Sequence, residues 1–223
     1  MKETVVISIG GSIIVPKDID HKFLKEAKRA ISKISRQYKL VICTGGGSTA
    51  REYISALRDA GCAEREQNLI GIAVTRINAR LLASYLNCSS DIPVSLAEVR
   101  SKLRKDNVVV CGGLTPGQTS DGTTAEIAEY LGVKTLINVT NVSGLYTKDP
   151  RKFKGAKLIP KIGHAEFSKI MAKVREGPGQ HFVLDSVAER IAKRNKMRVI
   201  ILKGMANLEN YLSGKRFVGT VID

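Results

Sequence analysis

Short apolar runs rich in valine and isoleucine alternate along the chain with stretches of helical periodicity. The strand-like runs are 4–9, 39–44, 107–111, 133–139, 198–202 and 217–222. Between the first two, Phe23, Ala27 and Ile31 share one face of a helix predicted over 20–37. Strands that alternate with helices build a largely parallel sheet covered on both faces. The sequence therefore predicts an α/β fold, a three-layer αβα sandwich with a mainly parallel central sheet.

Three of the predicted strands end in glycine-rich turns. These turns are Gly10-Gly11-Ser12, Gly45-Gly46-Gly47-Ser48 and Gly112-Gly113. In a parallel sheet the carboxyl ends of the strands lie at one edge, where ligands bind. Glycine lets another group approach the backbone closely, and backbone N–H groups at helix N-termini bind anions. Three such turns at corresponding positions predict one extended phosphate-bearing ligand, or two that meet.

Two familiar phosphate-binding motifs contain similar glycines. The pattern GxxxxGK[ST] is absent, because Gly214-Lys215 is followed by Arg216. The stretch "GGGSTA" does satisfy the dinucleotide pattern GxGxxA after a strand. A dinucleotide site, however, expects one such turn and an acid at the end of the next strand, whereas Glu64 and Glu66 lie in a helical stretch. A dinucleotide-binding oxidoreductase stays an alternative that leaves two glycine turns unexplained.

The third glycine turn runs into a polar segment, "TPGQTSDGTT". Its hydroxyl groups and Asp121 precede a helix that the capping-box pattern Thr123 to Glu126 predicts. Hydroxyls and backbone donors there suit an anionic group, and the carboxylate suits the orientation of cations around it. An ordinary polar loop with a helix cap is the alternative interpretation.

Composition narrows the class of protein further. With 36 Lys and Arg against 21 Asp and Glu, the net charge of +15 favours anionic partners. A basic nucleic-acid-binding regulator is therefore an alternative, although 5% aromatic residues and no Trp make nucleic acid an unfavoured partner. No signal-peptide pattern and no run of roughly 18 apolar residues occurs, which predicts a cytoplasmic protein without a membrane partner.

Cysteine and histidine spacing gives no indication of a protein-bound metal. The four cysteines form no CxxC pair, so buried free thiols are expected. The three histidines, His21, His164 and His181, also lack metal-ligand spacing.

Five segments together resemble the amino acid kinase family, in order and across nearly the whole chain. They are "IGGS", "GGGSTAR", "GGLTPGQTSDGTTA", "TNVSGLYTKDP" and "VLD". Within that family they are most similar to archaeal-type uridylate kinases. The resemblance implies one domain over 1–223 that transfers the γ-phosphoryl group of Mg·ATP to UMP. It also implies a homohexamer built as a trimer of dimers, an acceptor side formed mainly by the N-terminal part and an ATP side formed mainly by the C-terminal part.

The resemblance also implies roles for single residues. Catalytic roles fall on Arg51, Asp121 and Asp185. ATP or phosphate binding falls on Ser8, Gly10, Gly11, Ser12, Gly47, Arg51, Thr140, Asn141, Tyr146 and Asp149. UMP binding falls on Gly46, Asn68, Leu114, Thr115, Pro116, Gly117, Gln118, Thr119 and Ser120. The expected cofactor is Mg²⁺ carried by ATP, with no metal held by the protein alone. From the sequence itself, a helix cap beside Ser186 is the favoured explanation of Asp185.

This chain departs from the family pattern at three positions. Asn68 stands where an aspartate often binds the acceptor ribose, Ser8 where many members have a lysine, and Ser143 where an acid is common. Because Ser8 carries no charge, we expect another cation near the glycine turns to compensate, with Arg51 first and Lys148 second. Isopentenyl phosphate kinases, the nearest alternative, resemble this fold but have a histidine where Arg51 stands. The expected assembly surface is the long helix over 69–86 or its neighbour.

Overall fold

The computed structural model describes residues 2–150, 152–172 and 183–223, in which seven strands and nine helices are found. The strands are β1 (Glu3–Ile9), β2 (Tyr38–Thr44), β3 (Val108–Cys111), β4 (Thr135–Thr140), β5 (Lys161–Ile162), β6 (Arg198–Lys203) and β7 (Gly219–Ile222). The helices are α1 (Gly11–Ile14), α2 (His21–Ile34), α3 (Gly47–Asp59), α4 (Glu64–Leu86), α5 (Leu96–Lys105), α6 (Ser120–Leu131), α7 (His164–Met171), α8 (Ser186–Arg194) and α9 (Met205–Leu212). His181 lies outside the described residues.

The strands form one sheet in the order β3-β2-β1-β4-β6-β7-β5. All neighbouring pairs are parallel except β6 and β7, which are antiparallel. The register sets Ser8 beside Cys43 on one side and Asn138 on the other, and it sets Thr140 beside Lys203. The carboxyl ends of five parallel strands, β3, β2, β1, β4 and β6, therefore share one edge, as the sequence predicts.

Alternate residues of each strand enter two separate hydrophobic cores. Ile7 and Ile42 pack with α2, α4 and α9 on one face, and Val6 and Val41 pack with α5 to α8 on the other. This alternation follows from the two-residue period of a strand, and it produces near-continuous apolar runs because both faces are covered. The predicted three-layer αβα sandwich is confirmed.

The six predicted strands are present, although the last begins at Gly219 rather than 217. The predicted capping box at Thr123 is wrong. Helix α6 already begins at Ser120, and its cap is Thr119, whose Oγ1 accepts a hydrogen bond from Gly122 N. Thr123 is instead buried within the helix. The elements that sequence patterns did not indicate are short or weakly periodic, and they include α5, α7, α9 and the two-residue β5.

Candidate active site

The first two glycine turns are pressed against each other. A Cβ atom on Gly11 would lie 2.1 Å from Gly47 N and 2.5 Å from Gly45 C. Gly47 adopts a φ of +68°, and a Cβ there would lie 2.6 Å from Gly11 O. Only glycine fits these positions, because backbone meets backbone and, at Gly47, the φ is unfavourable for other residues. The close approach that the sequence suggests is therefore first an approach of one turn to the other.

Helix α4 holds the second and third turns in place. Asn78, which is 4% exposed, donates from Nδ2 to Gly45 O at 2.8 Å. Thr75 Oγ1 accepts from Gly113 N at 2.8 Å, and Arg76 Nε donates to Gly113 O at 3.1 Å. A Cβ on Gly112 would lie 2.7 Å from Arg76 N. The glycines of the third turn thus permit contact with a helix backbone, and α4 fixes where the turns lie.

The predicted acceptor segment Leu114–Ser120 meets Asn68. A Cβ on Gly117, whose φ is +81°, would lie 3.4 Å from Asn68 Nδ2, although the two residues are far apart in sequence. At the other end of the segment, Ser120 Oγ lies 3.3 Å from the Cβ position of Gly45. Thr115, Pro116, Gly117 and Thr119 are exposed. The structure therefore brings the predicted UMP-binding residues together beside the second glycine turn.

Asp121 lies half-buried in the first turn of α6, between two buried polar side chains of the sheet. Ser8 Oγ donates to Asp121 Oδ1 at 2.8 Å, and Asn138 Nδ2 donates to Oδ2 at 3.2 Å. Both supporting groups are neutral. Burial first, and the nearby Asp185 carboxylate second, raise the pKa of Asp121 from 3.8 to about 7, against the lowering effect of the two hydrogen bonds.

Ser8 supports Asp121 rather than the surface of the cleft. Its relative exposure is 0%, so its hydroxyl reaches a ligand only through the carboxylate it contacts. A lysine at this position would bring a positive charge to Asp121. Here the carboxylate receives only uncharged donors from β1 and β4, and their hydrogen bonds lower its pKa by less than burial and Asp185 raise it.

Asp185 joins the N-termini of two helices. Its Oδ1 accepts from Ala188 N at 2.7 Å and caps α8, while its Oδ2 accepts from Gly122 N at 3.1 Å in the first turn of α6. Thr119 Oγ1 also contacts Oδ2. The capping interpretation is thus confirmed, yet the same carboxylate lies beside Asp121 at the edge of the cleft, where helix N-termini favour anions.

Two of the four predicted adenine and ribose contacts, Asn141 and Tyr146, line a pocket beyond the end of β4. This pocket has a volume of about 210 Å³, and its lining is Asn141, Val142, Ser143, Tyr146, Pro150 and Lys203. Thr140 ends β4 immediately before Asn141, and Asp149 immediately precedes Pro150. The strand order places this pocket on the opposite side of the first glycine turn from the acceptor segment.

The two candidate cations take different positions. Arg51 is exposed on α3, one turn after Gly47, and none of the ion pairs between described residues includes it. Lys148 Nζ lies over the ring of Phe153, 5.7 Å from its centroid. Arg51 is therefore the better placed of the two to reach a ligand at the second turn.

Sequence reasoning missed the two buried asparagines that organise this site. Asn138 joins Asp121 to Val183 O, which accepts from its Nδ2 at 2.9 Å, and Asn78 fixes the second turn. Each is a polar residue inside an apolar strand or helical stripe, "INV" and "INAR". Because buried amides need partners, that pattern was the available signal for both.

Chemically, the described part of this edge offers backbone donors of the glycine turns, helix N-termini, the exposed Arg51 guanidinium and two carboxylates. Such a set can hold phosphate groups and stabilise charge during phosphoryl transfer, which depends on positioning and electrostatics. The pocket beyond β4 lies on one side of the first two turns and the mostly exposed segment 115–119 on the other, an arrangement that suits two ligands whose phosphates meet between them.

Comparison with known proteins identifies relatives of this chain over nearly its whole length. The model of the amino acid kinase family matches residues 3–203. A uridylate kinase of Thermoplasma acidophilum is 40% identical over 100% of this chain and 98% of its own length. A uridylate kinase of Methanospirillum hungatei is 37% identical over 98% and 94%. The crystal structure of uridylate kinase from Archaeoglobus fulgidus superimposes with a TM-score of 0.89 at 32% identity, over all of both chains.

Proposed function

The chain belongs to the amino acid kinase family, and we propose that it acts as a uridylate kinase, transferring the γ-phosphoryl group of ATP to UMP to give UDP for pyrimidine nucleotide synthesis. The observation that carries this proposal is its end-to-end similarity to proteins named uridylate kinase. Isopentenyl phosphate kinase, oxidoreductase and nucleic-acid-binding functions are not favoured by these relatives.

The order of the strands supports a linear arrangement of the two substrates. UMP would lie over the ends of β2 and β3, against Asn68 and the segment Leu114–Ser120, with Gly46 near its phosphate. ATP would run from the glycines of the first turn to the pocket that Asn141 and Tyr146 line. Neighbouring strands are about 4.8 Å apart, so β6 lies roughly 10 Å from β1, and the base and the γ-phosphate of one extended nucleotide can occupy the two places.

Catalysis by this arrangement would be mainly electrostatic. Backbone N–H groups of the glycine turns and the N-termini of α3 and α6 would hold the phosphates, and the Arg51 guanidinium would contact the transferring group. Asp121 and Asp185 would orient the donors around it.

We propose that Mg²⁺ enters with ATP. Among the described residues, no three or more His, Cys, Asp or Glu side chains are grouped so as to hold a metal ion. Mg²⁺ commonly binds through substrate phosphates, one or two carboxylates and water, so two carboxylates at the cleft suit this mode. When bound, the ion would neutralise charge on the β- and γ-phosphates.

We propose that the chain is a single-domain, soluble, cytoplasmic protein. It would assemble as a trimer of dimers through contacts made by α3 and α4. Tyr53 on α3 is 54% exposed, and Leu69 and Ile77 on α4 are 39% and 65% exposed. Within the described part of the chain, α4 is also the one helix long and apolar enough to span a membrane. Ala79 and Leu82 of α4 are fully buried against the sheet, so a core helix with an outward assembly face accounts for its composition.

The proposed activity is tested by phosphoryl transfer from Mg·ATP to a panel of acceptors. The panel contains UMP, CMP, deoxyuridine monophosphate, isopentenyl phosphate and an amino acid, and product is identified by ³¹P NMR. We expect UMP to give the highest kcat/KM, with equal amounts of UDP and ADP. Faster transfer to isopentenyl phosphate or the amino acid would contradict the proposal.

The assembly is tested separately by light scattering after gel filtration. Wild type is expected to have a mass above that of the 24.3 kDa chain, and Ile77→Glu to dissociate it. Lys22→Glu, an exposed change on α2, is the control. A monomeric wild type at micromolar concentration would contradict the proposed assembly but not the reaction.

A further inference from the structure

The pocket at the proposed ATP side has an unusual balance of charge. Of its six lining residues, Lys203 carries a positive charge and none is a carboxylate. Ser143, which is neutral, lines the pocket together with Lys203. The pocket as built favours a ligand that presents hydrogen-bond acceptors.

The backbone defines where Lys203 stands. It is the last residue of β6 and pairs in register with Thr140, the last residue of β4. The next residue, Gly204, has a φ of +80°, which turns the chain into α9, and Asn207 Nδ2 donates to Lys203 O at 2.9 Å. The Lys203 backbone is therefore fixed at the sheet edge, and its long side chain lines the pocket.

The position along the sheet indicates which part of a nucleotide would meet this lysine. Two strand spacings, roughly 10 Å, separate β6 from β1 and its glycine turn. A volume of about 210 Å³ lies below the roughly 300–1,000 Å³ typical of pockets for whole drug-sized ligands, which suits a single base. Lys203 thus lies at the base end of the proposed donor, away from its phosphates.

A lysine ammonium group donates three hydrogen bonds and accepts none. On the purine edge, guanine offers two acceptors, N7 and O6, whereas adenine offers N7 beside an amino group that itself donates. An ammonium group near that edge therefore interacts better with a 6-oxo purine than with a 6-amino purine.

We propose that Lys203 is a specificity-determining residue that reads the purine edge of the phosphoryl donor and makes the pocket accept 6-oxo purine nucleotides as well as ATP. This inference rests on the proposed function for the assignment of the pocket to the donor. The inference attributes guanine binding to the Lys203 side chain alone. It therefore differs from a non-specific attraction of nucleotides by the net positive charge of the protein.

The test measures binding of Mg²⁺ complexes of AMP-PNP and GMP-PNP by calorimetry, without UMP, to wild type, Lys203→Met and Lys215→Met. Lys215 is exposed and absent from the pocket lining, so its variant controls for the loss of one positive charge. We expect Lys203→Met to shift the ratio of the two affinities against GMP-PNP by about fivefold or more, the scale of one hydrogen-bonded base contact. Lys215→Met should leave the ratio unchanged.

If Lys203→Met shifts the ratio of the AMP-PNP and GMP-PNP affinities by less than about fivefold, the inference is wrong. This holds whether both affinities fall together or neither changes. An equal shift in Lys215→Met overturns it too. Thermal unfolding of each variant verifies that it is folded, and Lys203→Gln repeats the measurement with a different neutral side chain. Because no acceptor is present, failure of UMP phosphorylation would contradict the proposed function without affecting this result.

Discussion

Replacing Asp121 by asparagine should stabilise the protein in alkaline solution while it destroys turnover. The amide resembles the neutral form of the carboxyl group and can keep both contacts, since its oxygen can accept from Asn138 and its NH₂ group can donate to Ser8 Oγ. The variant therefore removes the ionisation with little change in packing. Loss of kcat by about 10²-fold or more is expected, because an electrostatic element beside the phosphates is lost.

The size of the stabilisation follows from the pKa of Asp121. Its folded-state value of about 7 lies above the ordinary 3.8, so the folded protein holds this proton more tightly than the unfolded chain. The stabilising contribution of the proton is complete below about pH 4 and is lost as pH rises through 7. A tenfold difference in proton affinity is worth about 1.4 kcal/mol, which makes the full cost of ionisation at most about 4 kcal/mol. Roughly 2.5 kcal/mol of it develops between pH 5 and pH 8.

Urea unfolding at pH 5, 6, 7 and 8 measures this directly. The free energy of unfolding of Asp121→Asn should exceed that of wild type by a margin that grows by roughly 2–3 kcal/mol from pH 5 to pH 8. Exposed Asp59→Asn is the matched control and should show no such growth. A margin that stays constant across this range would show that Asp121 is already ionised at low pH, and the reasoning about Ser8 and Asn138 would be refuted.

Two further predictions concern the groups around Asp121. Arg51→Ala should lower kcat/KM by about 10²-fold or more, because a charged contact to the transferring phosphoryl group is lost. Its unfolding midpoint should not change, since Arg51 is exposed. Near-normal kinetics would contradict this role for Arg51, and Lys148→Ala would be the next variant to measure. Asp185→Asn should lower kcat by a similar factor while the cap on Ala188 N largely persists through the amide oxygen. Loss of thermal stability with normal turnover would instead limit Asp185 to capping.

The sheet and its glycine turns could be predicted from the sequence because their causes are local. A strand buried on both faces reads as a valine- and isoleucine-rich run, and a turn pressed against another backbone requires glycine, as at Gly11 and Gly47. The meeting of Asn68 with Gly117 followed from the family resemblance rather than from any local pattern.

The remainder of the site depends on contacts between distant residues. Ser8 and Asp121 are 113 positions apart, and their hydrogen bond exists because β1 lies centrally in the sheet and α6 begins three positions before the pattern at Thr123 suggests. The hydrogen bond from Asn78 Nδ2 to Gly45 O likewise depends on α4 passing beside the second turn. No sequence period encodes such pairings, so the raised pKa of Asp121 emerges only from the folded structure.

The central claim is that one sheet edge binds two nucleotides whose phosphates meet. ATP would lie on the β1–β4–β6 side and UMP on the β2–β3 side. The claim is tested most directly by calorimetry with a bisubstrate compound in which uridine and adenosine are joined by five phosphates, compared with ATP and UMP alone. Linking two ligands that bind side by side should give affinity on the order of 10²-fold or more above that of ATP. UMP should then fail to bind the saturated protein. Affinity no greater than that of ATP, with UMP still binding, would contradict the claim.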